Sequence, residues 1–97
     1  MIRQVTIIIG TRPEAIKLAP VILAFKSSNK IKTRVVLTGQ HIDMVSDVID
    51  LFKIDVDINM KLMKKDQDLN QFNSKCLLKI SEELISNKPD LVIVQGD

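Results

Sequence analysis

Four short apolar runs alternate along the chain with longer segments of different periodicity. The runs span residues 5–9, 33–37, 55–58 and 91–94, and the third is the weakest. Short runs rich in β-branched residues predict strands. The first run carries apolar residues on both faces and ends at Gly10, which is typical of a strand covered on both sides of a sheet.

The three intervening segments have apolar residues at helical spacing and predict helices. These residues are Ala15, Leu18, Ala19 and Ile22 in the first segment, Met44, Val48, Leu51 and Phe52 in the second, and Leu69, Phe72, Cys76, Ile80 and Leu84 in the third. Pro20 falls inside the first pattern. Because proline lacks an N–H group, we expect the first helix to kink or break there.

Strands that alternate with helices predict right-handed βαβ units and a parallel sheet, so the fold class is α/β, doubly wound and Rossmann-like. The simplest such order is 3-2-1-4, with the helices that follow strands 1 and 3 on opposite faces. Ligands bind in these sheets at the carboxyl ends of the strands that flank the switch point. That arrangement would bring residues 10–12 beside residues 95–97.

The composition and the apolar runs argue against a nucleic-acid-binding protein and against a membrane-spanning one. The 97 residues suit one small domain, and 14 basic against 12 acidic side chains give a formal charge of +2, which is too weak for a nucleic-acid interface. Only three aromatic side chains, all Phe, are available to stack on bases. Cys76 is the only cysteine, so no internal disulfide forms and a cytoplasmic location is expected. The apolar runs are too short to span a membrane.

The turn after the first strand carries the most specific chemistry. Thr11 and Glu14 have the spacing of a capping box, and Pro13 suits the first turn of a helix. The free N–H groups of such a helix end bind anions. Arg12 opposes the helix dipole there, which favours an anionic ligand as its partner, and Lys17 could reach the same place. A capped helix with a solvated Arg12 and Lys17 fits the spacing equally well.

Three motifs of this chain resemble those of the non-hydrolysing UDP-N-acetylglucosamine 2-epimerases. They are G-T-R-P-E-A-I-K-L-A-P at residues 10–20, T-G-Q-H at residues 38–41, and K-P-D followed by an apolar run and Q-G-D at residues 88–97. Their order and spacing fit the family over the whole chain. The segment that begins at Gly10 matches neither the Walker phosphate-binding loop nor the glycine-rich fingerprint of dinucleotide-binding domains.

The resemblance implies a two-domain enzyme of glycosyltransferase-B-like fold, of which residues 1–97 are part of the N-terminal domain. Such an enzyme eliminates UDP to give a glycal and adds it back, which interconverts UDP-N-acetylglucosamine and UDP-N-acetylmannosamine. On this chain Arg12 and Lys17 match the basic residues that bind substrate. Asp97 matches an acidic residue near the sugar that takes part in turnover and in substrate binding. No cofactor or metal is expected, and the parent enzyme is expected to be a homodimer.

A second, regulatory UDP-N-acetylglucosamine site exists in some members of the family. The resemblance implies that Gln40 and His41 would contribute to it here. Asp43 and Asp66 replace an amide and an arginine of that site, and two carboxylates should repel a diphosphate. We therefore expect weak activation, or none, by this ligand.

The chain stops directly after the fourth strand, where a parallel sheet normally continues into a helix. We expect a fragment of a longer protein that has no epimerase activity by itself. Two other functions suit the same sheet: a non-catalytic module that binds sugar nucleotides, and a sugar-nucleotide glycosyltransferase, since a fold alone does not fix a function.

Overall fold

The computed structural model describes residues 3–39, 42–62 and 67–95, without the side chains of residues 42–44. Four strands and three helices alternate in these ranges. They are β1 (Arg3–Ile9), α1 (Arg12–Lys26), β2 (Ile31–Leu37), α2 (Ile42–Leu51), β3 (Ile58–Asn59), α3 (Leu69–Ser86) and β4 (Leu91–Val94). The strands form one parallel sheet in the order β3-β2-β1-β4, so the predicted topology is confirmed.

The core lies between one face of the sheet and helices α1 and α2. It is formed by alternate residues of β1 and β2 and by the apolar sides of the two helices: Val5, Ile7, Ile9, Ala15, Leu18, Ala19, Ile22, Val35, Leu37, Val45, Val48, Ile49 and Ile54. Successive strand residues point to opposite faces, so Thr6, Ile8 and Val36 cover the other face, and all three are buried. Helix α3 lies on that side, as the predicted topology requires.

Helix α1 is not broken at Pro20, so that part of the prediction is wrong. The helix continues from Arg12 to Lys26 with Pro20 exposed to solvent. Proline removes a single hydrogen bond of the helix. The neighbouring Ala19 and Ile22 are completely buried, and their packing against the sheet holds the helical path.

Strand β3 is shorter than predicted and begins later, because a side chain takes the place of backbone pairing. Asp57 Oδ2 accepts a hydrogen bond of 2.6 Å from the N–H of Val35, and the N–H of Asp57 donates to the Val35 carbonyl at 2.9 Å. The ladder with β2 therefore starts only at Ile58, opposite Val36. Asp57 lies next to β2 but is not part of the strand.

Helix α3 is held against the sheet by an ion pair rather than by apolar contacts alone. The Arg34 Nε and Nη2 atoms donate to the two Glu83 carboxylate oxygens at 2.6 and 3.0 Å. The Glu83 side chain is 5% exposed, and its hydrogen bond raises the pKa of Arg34 above the ordinary value. Phe72 is buried as predicted, whereas Leu69 is exposed and Glu83 takes an inward position.

Replacing Glu83 by glutamine should lower the free energy of unfolding by about 1.5 kcal/mol, because glutamine keeps a single acceptor oxygen. Arg34 then loses one of its two hydrogen bonds, and the acceptor of the other bond loses its charge. Glu82 offers a matched control, since it pairs with Lys79 at 3.5 Å with both side chains about half exposed. Glu82→Gln should cost less than about 0.5 kcal/mol. Urea unfolding of the 97-residue chain measures both. Equal losses would show that the buried pair contributes no more than the exposed one.

Candidate functional site

The turn between β1 and α1 lies at the carboxyl edge of the sheet, beside the end of β4. Ile8 pairs with Val94, so Gly10 and Gln95 follow neighbouring strands at the same edge. The connections from β1 and to β4 run on opposite faces, which makes this the switch point of the sheet. The predicted position of residues 10–12 is confirmed with respect to Gln95. Gly96 and Asp97 lie outside the described residues.

Arg12 is the first residue of α1, and its side chain is exposed. In the described part of the chain it forms no ion pair. A cation at this position opposes the positive end of the helix dipole, so it slightly destabilises the helix. The arrangement is open to an anion that would contact the guanidinium and the helix end together.

Lys17 is also exposed and lies on a different side of α1. Five positions along a helix correspond to about 7.5 Å of rise and about 140° of rotation. The fold therefore does not bring Lys17 and Arg12 into contact. Side chains of a helix generally tilt toward its N-terminus, which is the end where Arg12 lies. A ligand would have to cover that end of the helix to contact both cations.

The Thr11–Glu14 pair differs from a capping box. Glu14 Oε1 accepts a hydrogen bond of 3.2 Å from the Gly10 N–H, and Glu14 Oε2 accepts one from the Thr11 hydroxyl. The Thr11 hydroxyl makes no capping bond to the helix. The residue pair predicted from spacing is thus in contact, but the carboxylate accepts both bonds.

The carboxyl end of β2 lies next to this turn. The Thr38 N–H donates to the Ile9 carbonyl at 3.0 Å, and Gly39 follows with a φ of +82°. Thr38 is 6% exposed, and its hydroxyl has no hydrogen-bond partner in the described part of the chain. No pattern in the sequence predicts this buried hydroxyl. Gln40 and His41, predicted for a second ligand site, lie outside the described residues, as do Asp66 and the Asp43 side chain.

The described residues contain no cluster of three or more His, Cys, Asp or Glu side chains that could hold a metal ion. None of the helices in the described ranges is long and apolar enough to cross a membrane. Cys76 is half-buried, and burial raises the pKa of its thiol. The cations of the described site are Arg12 at the β1–α1 turn and Lys17 farther along α1.

The comparisons with known proteins agree with this geometry. The UDP-N-acetylglucosamine 2-epimerase of Neisseria meningitidis serogroup A is 40% identical over 94 residues, which are 97% of this chain and 25% of that protein. The Campylobacter jejuni enzyme of the same name is 37% identical over all 97 residues, again 25% of its length. The chain thus spans about a quarter of the length of these relatives.

A solved structure has the same arrangement of strands and helices. It is the N. meningitidis 2-epimerase bound to UDP-N-acetylglucosamine, with a TM-score of 0.90, 40% identity, and coverage of 97% of this chain and 25% of that one. The profile of the UDP-N-acetylglucosamine 2-epimerase family matches residues 23–97, which begin after the β1–α1 turn. The match therefore does not rest on that turn, and fold, motifs and profile agree that this chain belongs to the UDP-N-acetylglucosamine 2-epimerase family.

Proposed function

We propose that the full-length protein containing this chain is a non-hydrolysing UDP-N-acetylglucosamine 2-epimerase. The observation that carries the proposal is Arg12, a cation without an ion-pair partner among the described residues, at the start of α1 and at the switch point of the sheet. A helix end and a guanidinium together suit a diphosphate. The related N. meningitidis enzyme was solved with a ligand of that class.

The proposed reaction proceeds by elimination and re-addition. A base removes the proton from C2 of the sugar while the C1–O bond breaks and its electron pair leaves with UDP. The glycal then accepts a proton at C2 from the opposite face, and the UDP oxygen re-forms the bond to C1. Cations that bind the departing diphosphate stabilise the charge that develops on it.

Arg12 and Lys17 are proposed to bind the diphosphate, and Asp97 to act near the sugar. Both cations are exposed at or near the N-terminal end of α1, which supports the first two assignments. Residues 1–97 would form part of the first of two domains, with the remaining carboxylates supplied from elsewhere in the protein. Gln40 and His41 are proposed to contact a second sugar nucleotide, with regulation weakened by Asp43 and Asp66.

Incubation of the full-length protein with UDP-N-acetylglucosamine in D2O, followed by proton NMR, tests the reaction. We expect a second anomeric signal from the manno epimer and exchange of the C2 proton for deuterium, because the glycal takes its proton from solvent. Free sugar plus UDP would indicate hydrolysis, and UDP released only with an added acceptor would indicate a glycosyltransferase. Unchanged substrate would indicate a binding module. The 97-residue chain, a quarter of the relatives' length, should give no turnover.

We also propose that the full-length protein is a cytoplasmic homodimer. Helix α3 offers an apolar surface for such a contact or for contact with the rest of the full-length protein, since Leu77 and Ile85 are each 71% exposed in this chain and Leu78 is 58% exposed. Exposed apolar side chains grouped on one helix are typical of a contact with another protein surface. Light scattering of the full-length protein would contradict the dimer if it gave the mass of one chain.

A further inference from the structure

The Glu14 carboxylate forms hydrogen bonds with the residues that lead from β1 into α1. Its two carboxylate oxygens accept separate hydrogen bonds, one from the Gly10 N–H and one from the Thr11 hydroxyl. All three residues are half-buried, whereas Arg12 and Pro13 between them are exposed. The carboxylate thus fixes the residues on the strand side of Arg12, and with them the place where α1 begins.

The start of α1 has no side-chain cap. A threonine at the N-cap ordinarily accepts a hydrogen bond from a first-turn N–H. Asp68 does this for α3, where it accepts from Gln71 at 2.7 Å. Thr11 instead donates its hydroxyl hydrogen to Glu14. Among the described residues, no hydrogen bond uses the backbone N–H of Arg12 or Glu14, and the first helical bond runs from Ala15 to Thr11 at 3.1 Å.

We infer that Glu14 is a positioning residue for diphosphate binding, a role that rests on the function proposed above. By accepting from Gly10 and Thr11, it fixes the turn and keeps the Thr11 hydroxyl away from the helix N–H groups, so that these groups stay available to phosphate oxygens. The turn is then already ordered in the free protein, so the free energy of ordering it does not weaken the binding of UDP. This is the general advantage of preorganisation.

The charge of Glu14 makes this inference easy to test. A carboxylate near a bound diphosphate repels it, so on charge alone the removal of Glu14 should strengthen UDP binding. Positioning has the opposite effect. Without the carboxylate, the turn loosens and the freed Thr11 hydroxyl can cap the helix in competition with the ligand. The two roles therefore differ in the sign of the change in Kd.

Titration calorimetry of the full-length protein with UDP measures that sign. We expect Glu14→Ala to raise the Kd about tenfold, the equivalent of losing one to two hydrogen bonds. Glu14→Gln retains a carbonyl oxygen for the Gly10 N–H and should stay within about threefold of the wild type. Glu82→Ala removes the same charge from the exposed surface of α3 and should leave the Kd unchanged.

Each outcome bears on one proposal. A wild-type protein that does not bind UDP would contradict the proposed function and remove the basis for this role. If the wild type binds UDP and Glu14→Ala binds it equally well or more tightly, the positioning role is wrong while the function stands. If Glu14→Ala does not fold, Glu14→Gln decides the question: binding more than about fivefold tighter than the wild type would show that Glu14 acts by charge alone.

Discussion

Replacing Arg12 by alanine in the full-length protein should weaken UDP binding about 10- to 100-fold, which corresponds to the loss of one charge-assisted hydrogen-bonded contact. Arg12 is exposed at the first position of α1, where its charge opposes the helix dipole. Folding therefore gains little from it, and Arg12→Ala should leave thermal stability almost unchanged. A substitution that weakens UDP binding without lowering stability would be typical of a cation whose role is to bind the ligand.

Titration calorimetry with UDP measures the effect, with a second arginine as control. Arg3 lies at the amino end of β1, the opposite edge of the sheet, where its exposed side chain is 3.8 Å from Asp90. Arg3→Ala removes an equal charge far from the turn and should change the Kd less than about twofold, since exposed charges at that distance are largely screened. Equal changes in the Kd for UDP on the two substitutions would show that Arg12 acts only through the overall electrostatic field of the protein.

The order of the sheet could be predicted because it depends on local patterns combined with a general rule. Apolar runs identified β1, β2 and β4, helical periodicity identified the helices between them, and the handedness of βαβ units then left few possible orders. What the patterns missed were contacts between distant residues. The Asp57 side chain takes the place of backbone pairing by accepting a hydrogen bond from the Val35 N–H. Glu83 is buried because it pairs with Arg34, which lies 49 positions earlier in the sequence.

The candidate site was predictable to a similar degree. Spacing alone placed Arg12 at the start of a helix and brought Thr11 and Glu14 together, because the positions of one helical turn are fixed by geometry. The direction of the hydrogen bond between Thr11 and Glu14 was not predictable. It depends on where the chain leaves β1, which puts the Gly10 N–H within reach of the same carboxylate. The roles of Gln40, His41 and Asp97 stay predictions.

Gly39 belongs to the T-G-Q-H motif, but no local pattern indicated how closely it packs against another segment of the chain. Its φ of +82° lies in the left-handed region, and its Cα faces the backbone of the segment that follows β3. A Cβ atom on residue 39 would lie 2.6 Å from the Cα of Lys61 and 2.9 Å from the N atom of Leu62. That segment is itself held in place: the Leu62 N–H donates to the Thr38 carbonyl at 3.0 Å, and Lys61 has a φ of +51°. Two backbone segments thus meet where only glycine fits.

Gly39→Ala should therefore lower the free energy of unfolding by about 3 kcal/mol, of which about 1 comes from the left-handed backbone and the rest from displacing residues 61 and 62. Urea unfolding of the 97-residue chain measures it, and Gly39→Asn separates the two causes. Asparagine adopts positive φ more readily than alanine, but its Cβ meets the same backbone atoms. We expect Gly39→Asn to be nearly as destabilising as Gly39→Ala. Lys53→Gly is the control of opposite sign, because Lys53 has a φ of +54° and glycine there should be neutral or stabilising. A mild Gly39→Asn variant beside a severe Gly39→Ala variant would contradict the close approach and leave backbone strain as the whole effect.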